Sequence, residues 1–575
     1  MKKVWKGFAA AVSAAAIAAT GFIGATSANA AEGDVTVTIT DATSADQKFV
    51  AYRVLNTTNN GDNYAYTINT KYSAQLKTAT DLPLNGTDEQ NNKAVTDYIA
   101  PLTAAQMKVF ADKLWVAIAN TKPAVTPDIT EFAGKTGGAS FSGPQGYYLI
   151  RQTSAGANDA LSSVIVNTAG QNGVDVTLKK NVPTVEKKVQ NVNDSSNTTS
   201  GWLDSADHDV NDQVNFKLTG TTSTYVNDFK QYKFEFKDTM SAGLTFVQAG
   251  NNVATTDVTV KIDGTAITSG YTVTLADVPA ATTGAYAGGK VLTVSFADLL
   301  AAAKAANITL NGGDVVTVEY KATLNENAVI GPNGNPNKVD LTFANDPHYS
   351  GAGANEPTGT TPEDEVIVFT YEVNADKVTS DNKPLEGASF ALLKWFEADK
   401  VWKVYQHAKA ADGTNPAVVA GWVALPSGVT IANKAAIATL SQTAAAKIPG
   451  TAAENKEGKW TVNFPRIDDG DYAIVETVVP AGYNYAAPTQ FTITGNLVTT
   501  QPTGEAITGT WGAPTTGNND VTVSGGTIST SIVNNAGNKL PSTGGMGTTI
   551  LYVAGAVIVL IAGIGLAVTL RRRQA

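Results

Sequence analysis

The sequence contains no cysteine. Disulfides are excluded, and with them thiolate metal centres and cysteine nucleophiles. Histidine is almost as scarce: His208, His348 and His407 are the three in 575 residues, and they stand far apart. That scarcity argues against a histidine-based triad or a zinc site, so neither metal nor cofactor is expected. Positive charge is in deficit, with 41 Lys+Arg against 51 Asp+Glu and a formal net charge of −10. An acidic surface of this kind disfavours nucleic acid and polybasic membrane binding.

Long apolar runs stand at the two ends. "MKKVWKG", the run "FAAAVSAAAIAATGFIGA" and the small-residue site "ANA" form a secretion signal over 1–30, cleaved after Ala30. At the other end stand "LPSTG" (Leu540, Pro541, Ser542, Thr543, Gly544), an apolar run over 550–570 and the basic tail 571–575. At about 1.5 Å rise per residue, such a run crosses a hydrocarbon core of roughly 30 Å as a helix, and the arginines stay cytoplasmic. This order resembles the cell-wall sorting signal of Gram-positive surface proteins. The resemblance implies a sortase that cuts between Thr543 and Gly544 and passes the acyl group to an amine. An exported chain without disulfides must rely on its cores or on another crosslink.

Between the ends, short alternating runs rich in Val, Thr and Tyr are separated by turn clusters such as "NTTNNGDN" and "GPNGNPN". The pattern predicts an all-β fold of tandem immunoglobulin-like sandwiches. Three helical exceptions are expected, in "DEQNNKAVTDYIA", "TAAQMKVFADKLWVAIAN" and "FADLLAAAKAA". Composition places domains at 31–180, 181–365 and 366–538. "GDYAIVE" at 470–476 echoes "GYYLIRQ" at 146–152, with Gln152 where the later copy has Glu476. The acidic cluster "DSADHDVNDQ" at 204–213 lacks the glycine and the final glutamate of an EF-hand loop and is expected to be a solvated loop.

Period-two alternation puts several reactive groups on inward strand faces. Glu476 shares a face with Tyr472 and Ile474; Lys377 with Tyr371, Val373 and Ala375; Asn534 with Ile528 and Ile532. Buried together, a neutral lysine, an asparagine amide and a protonated carboxyl can form a Lys–Asn amide with loss of ammonia. "DKVTSDNKPLEGASFALL", "GDYAIVETVVPAGY" and "SIVNN" resemble the B-type repeats of collagen adhesins and Gram-positive pilins. The resemblance implies a Lys377–Asn534 isopeptide bond catalysed by Glu476. In the second domain, "YKFEFKDTMSAGLTF" aligns Asp238 with three aromatics, as in the Asp-type fimbrial isopeptide domain. The expected pair there is Lys187–Asn345, with Lys188 and Asn337 as alternatives that strand parity leaves open. The first domain, with Gln152 in the acid's place, is expected to lack a crosslink.

A further lysine separates a fibre from a single anchored molecule. "VDVTLKKNVP" occupies the place of the linking motif of shaft pilins, and Lys180 (or its neighbour Lys179) precedes Asn181 as the family's lysine does. The whole layout resembles the backbone subunit of sortase-assembled fimbriae. It implies Thr543 joined to Lys180 of the next copy, a pilus-type (class C) sortase, a housekeeping sortase, peptidoglycan, and a tip or minor pilin as partners. The alternative is a monomeric wall-anchored adhesin for host matrix or glycan. Neither is an enzyme in the turnover sense.

Overall fold

The computed structural model describes residues 29–30, 33–60, 63–154, 161–177, 182–223, 226–347, 356–411, 416–499, 515–516, 521–537 and 546–572. The signal segment 1–28, Lys179, Lys180 and the motif 540–544 lie outside the described residues.

The all-β expectation is met, in three sandwich-like bodies. In the first, a six-stranded sheet centred on Lys48–Asn60 and Gly146–Ser154 faces a three-stranded one built on Asp34–Ile39. Helices Ser73–Thr80, Asp88–Ile99 and Ala104–Ala119 cover the larger sheet through a core of Tyr52, Leu76, Val95, Phe110 and Leu114. The last two helices start at capping boxes, Thr87 with Gln90 and Thr103 with Gln106, which satisfy first-turn N–H groups. The first helix was not expected. "SAQLKTAT" is only eight residues long, too short to be stable as a helix by itself, and it is held by burying Leu76 and Ala79.

The second body packs two seven-stranded sheets face to face. One contains Val185–Asn193, Gln213–Thr221 and Val315–Leu324; the other contains Asp364–Phe369, Asn335–Ala344, Phe234–Met240 and Lys290–Phe296. Inward alternation is strict in Val315–Leu324, where every second residue is buried. The third body sets a five-stranded sheet, with Tyr371–Thr379 between Lys459–Ile467 and Thr527–Asn534, against a seven-stranded sheet holding Ser389–Phe396 and Gly470–Val478.

The boundary between these two bodies differs from the expected 365/366. Asp364–Phe369 pairs with Asn335–Ala344 in the second body, whereas Tyr371–Thr379 pairs only within the third. One apolar run therefore serves two sheets and changes over at Thr370, whose hydroxyl donates to Ile467 O at 3.1 Å. Hydrophobicity is continuous across the change, so composition could not mark it.

The apolar run 550–570 lies within a helix, Met546–Arg572, whose side chains at 551–566 are exposed.

Candidate functional site

In the third body the first and last strands are neighbours. Tyr371–Thr379 and Thr527–Asn534 run parallel, with Lys377 opposite Ile532 and Thr379 opposite Asn534. This register brings Lys377 Nζ to 2.6 Å from Asn534 Oδ1, while Asn534 Nδ2 donates to Glu476 Oε1 at 2.9 Å and Oε2 at 3.1 Å. Glu476 arrives from the opposite sheet, and its Oε2 also accepts from Ala486 N at 3.0 Å. All three side chains are buried. Burial lowers the lysine to about 8, with Glu476 pulling the other way, and burial raises the Glu476 carboxyl. Both shifts favour the neutral forms, an amine that can attack and an acid that can carry a proton.

The second body holds an analogous group. Lys187 Nζ touches Asp238 Oδ2 and donates to Tyr320 Oη at 3.0 Å; Tyr320 Oη donates to Asp238 Oδ1 at 2.8 Å. Asn337 Nδ2 donates to the same phenol oxygen at 2.7 Å, and its Oδ1 is buried without a hydrogen-bond partner. Here too burial lowers the lysine against the pull of Asp238, and raises the Asp238 carboxyl. A charged pair this deep would gain little over an apolar core.

Two sequence choices need correction. Asn345 is not in this group: the strand Asn335–Ala344 places Asn337 beside Met240, whereas Asn345 lies beyond the far end of that strand. Its carbonyl instead accepts Leu161 N of the first body at 3.0 Å. Lys188 points to the other face and pairs with Asp204 and Glu186. Tyr320 was missed, because one tyrosine among many on an alternating strand carries no distinctive signal.

Two family models match stretches of this chain. Residues 371–505 match the SpaA family, a prealbumin-like fold domain, and residues 532–575 match the LPXTG cell wall anchor motif. The chain is a surface protein that carries a cell wall anchor of the LPXTG type. A curated relative, the trypsin-resistant surface T6 protein of Streptococcus pyogenes, is 37% identical over 83 residues, a match covering 13% of this chain and 16% of the relative. The chain thus matches about a sixth of that relative's length. Similar solved structures include the T6 backbone pilin of Streptococcus pyogenes (TM-score 0.45, 17% identity, 88% of this chain and 98% of that one). Another is the major pilin SpaD of Corynebacterium diphtheriae (TM-score 0.41, 17% identity, the same coverage).

In the first body, Gln152 is buried; its amide nitrogen Nε2 donates to Ser154 O at 3.3 Å and its Oε1 accepts from Ser162 at 3.4 Å. The strand Asp34–Ile39, "DVTVTI", offers no lysine.

The segment 204–213 is not the solvated loop expected. Asp204, Asp207, His208 and Asp209 are buried at the joint between the second and third bodies. Lys394 of the third body donates to Asp209 at 2.6 Å and Asp194 at 3.2 Å and contacts Asp468. Although burial opposes its charge, Asp209, Asp468 and Asp194 hold Lys394 well above the usual lysine range. The segment's hydrophilicity was real, but the partner of Asp209 lies 185 residues downstream in the chain.

Proposed function

We propose that the protein is the shaft subunit of a covalently polymerised pilus, each body beyond the first closed by an internal Lys–Asn bond. The observation that carries this is the contact of buried Lys377 with buried Asn534, backed by a carboxyl whose pKa burial raises.

The reaction balances within the three side chains. The neutral Lys377 amine attacks Asn534 Cγ, forming the Nζ–Cγ bond. Glu476 relays a proton from the amine to Nδ2, the Cγ–Nδ2 bond breaks, and ammonia leaves. Enforced proximity, worth effective molarities on the order of 10⁵ M, makes so slow a reaction feasible once per molecule. Lys187, Asn337 and Asp238 would react likewise, with Tyr320 bridging acid and amide.

Sortase action would then join Thr543 of one copy to Lys180 or Lys179 of the next. This contact between unlike surfaces does not close on itself and so propagates as a filament. Such a fibre loaded at its ends passes tension through every subunit, which unlinked domains of about 5–15 kcal/mol stability resist poorly. Wall-released material supports this reading if it runs as a boiling-resistant ladder that Lys180→Ala with Lys179→Ala abolishes. A single band from the unaltered strain would instead leave a monomeric anchored protein.

A further inference from the structure

The joint between the second and third bodies gathers six carboxylates, Asp194, Asp207, Asp209, Asp212, Asp468 and Asp469, around two basic groups, Lys394 and His208. Lys394 is committed to Asp194, Asp209 and Asp468. His208 Nε2 meets Gln190 O at 3.0 Å, and its Nδ1 stands 3.8 Å from Asp212. Asp207 and Asp469 face Asp468, whose ammonium partner Lys394 is shared with Asp194 and Asp209, so the trio has too little positive charge among it.

Their hydrogen bonding is lopsided. Asp207 Oδ2 accepts from Tyr371 Oη at 2.8 Å, and Asp468 Oδ1 accepts from Tyr472 Oη at 3.1 Å besides Lys394. By contrast Asp207 Oδ1, Asp468 Oδ2 and Asp469 Oδ1 are buried with no hydrogen-bond partner. Asp207 and Asp468 are fully buried, so water does not reach them from bulk, and an unpaired buried polar oxygen is costly. The backbone closes in as well: a Cβ on Gly495 would come within 1.9 Å of Asp207 Oδ2, so only glycine lets the chain pass this close.

We propose that a divalent cation of the calcium class binds here, held by Asp207, Asp468 and Asp469. Each offers a carboxylate oxygen, and these oxygens lie within 4.8 Å of one another. That is the span one ion covers with bonds of about 2.4 Å on opposite sides. All-oxygen, anionic donors select a hard cation and disfavour zinc or copper. Extracellular calcium modules bind in the range of about 10⁻⁴–10⁻³ M, which suits a protein on the outer face of a cell wall. Asp207 belongs to the second body and Asp468 and Asp469 to the third, so the ion would clamp the two across the changeover at Thr370. The crosslinks play no role in this site.

The test is calorimetric titration of calcium chloride into the whole purified protein stripped with EDTA. The unaltered protein is expected to bind one calcium per chain and to gain several degrees in Tm when saturated. Asp469→Asn should lose affinity roughly tenfold or more and show no gain in Tm, yet melt no lower than the unaltered protein in EDTA. That last result shows its fold is intact. Asp212→Asn, outside the trio, should keep its affinity; its loss would overturn the ligand assignment. Absence of calcium binding at about 5 mM by the unaltered protein, with no change in Tm, would overturn the site itself.

Discussion

Lys187 and Asn337 meet at one atom, the hydroxyl of Tyr320, which lies 3.0 Å from the amine and 2.7 Å from the amide nitrogen. The tyrosine also donates to Asp238 at 2.8 Å, so it links the acid to the amide that would lose its nitrogen in the proposed bond. Asn337→Ala is therefore expected to raise the intact mass by one unexpelled ammonia, after allowing for the substitution, whereas Asn345→Ala leaves the deficit unchanged. Tyr320→Phe should still fold and still close the bond, but roughly tenfold or more slowly, because a proton route is lost. Intact-mass spectrometry at intervals after refolding reads all three. A normal deficit in Asn337→Ala would return Asn345 to the role.

Removing the third-body acid separates chemistry from folding. Glu476→Ala is expected to keep the ammonia of Asn534 and leave Lys377 free, while the second-body bond forms normally. The lost crosslink spans 157 positions, from Lys377 to Asn534. A chain-entropy estimate for closing a loop of that size is about 5 kcal/mol. For a domain of this length, that corresponds to a fall in melting temperature of roughly 10–20 °C. Differential scanning calorimetry should show that fall in the third-body transition. An unshifted transition beside a restored mass would mean the bond carries little stability.

An uncrosslinked lysine should make stability depend on pH in a particular direction. In Asn534→Ala, Lys377 stays a free amine in a site where burial lowers it to about 8, against about 10.4 when unfolded. Between those values the unfolded chain holds more protons than the folded one, so stability rises with pH across that window. Below about 8 both states carry the charge and the full cost of burying it remains. The melting temperature of Asn534→Ala should thus climb between about pH 7.5 and 9.5 more than that of the crosslinked protein. A flat or falling difference would show that Lys377 does not titrate in the buried site.

Much of this was visible in the residues, and what was not has definite causes. Alternation alone put Lys377, Glu476 and Asn534 on inward faces, because a strand has two faces and each lay on the apolar one. The same rule could not choose between Asn337 and Asn345. They share parity, and register depends on which residues of Phe234–Met240 they oppose. The helices Asp88–Ile99 and Ala104–Ala119 carried caps and spacing of their own, whereas Ser73–Thr80 depends on the packing of Leu76. The acids at 204–213 looked solvated because Lys394 and Asp468, which bury them, belong to a later domain.

With both bonds in place, tension entering at Lys180 and leaving at Thr543 crosses from Lys187 to Asn337 and from Lys377 to Asn534. The segments 188–336 and 378–533 are then shielded, and the first body lies off the load path. What remains exposed to load is the stretch from Asn337 to Lys377. Within it, Asn335–Ala344 and Asp364–Phe369 are antiparallel, with Asn337 opposite Val366. Load is applied at the adjacent ends of this pair, so its hydrogen bonds break in succession instead of shearing together. Single-molecule pulling on the crosslinked protein is expected to show one low-force extension on the order of 100 Å, set by about 3.4 Å for each released residue. Glu476→Ala should add a second release several times longer as 378–533 becomes loaded. A crosslinked subunit that gives no extension before rupture would mean the pair is held from its other side, where Ser205–Asp207 runs parallel to Ile367–Phe369.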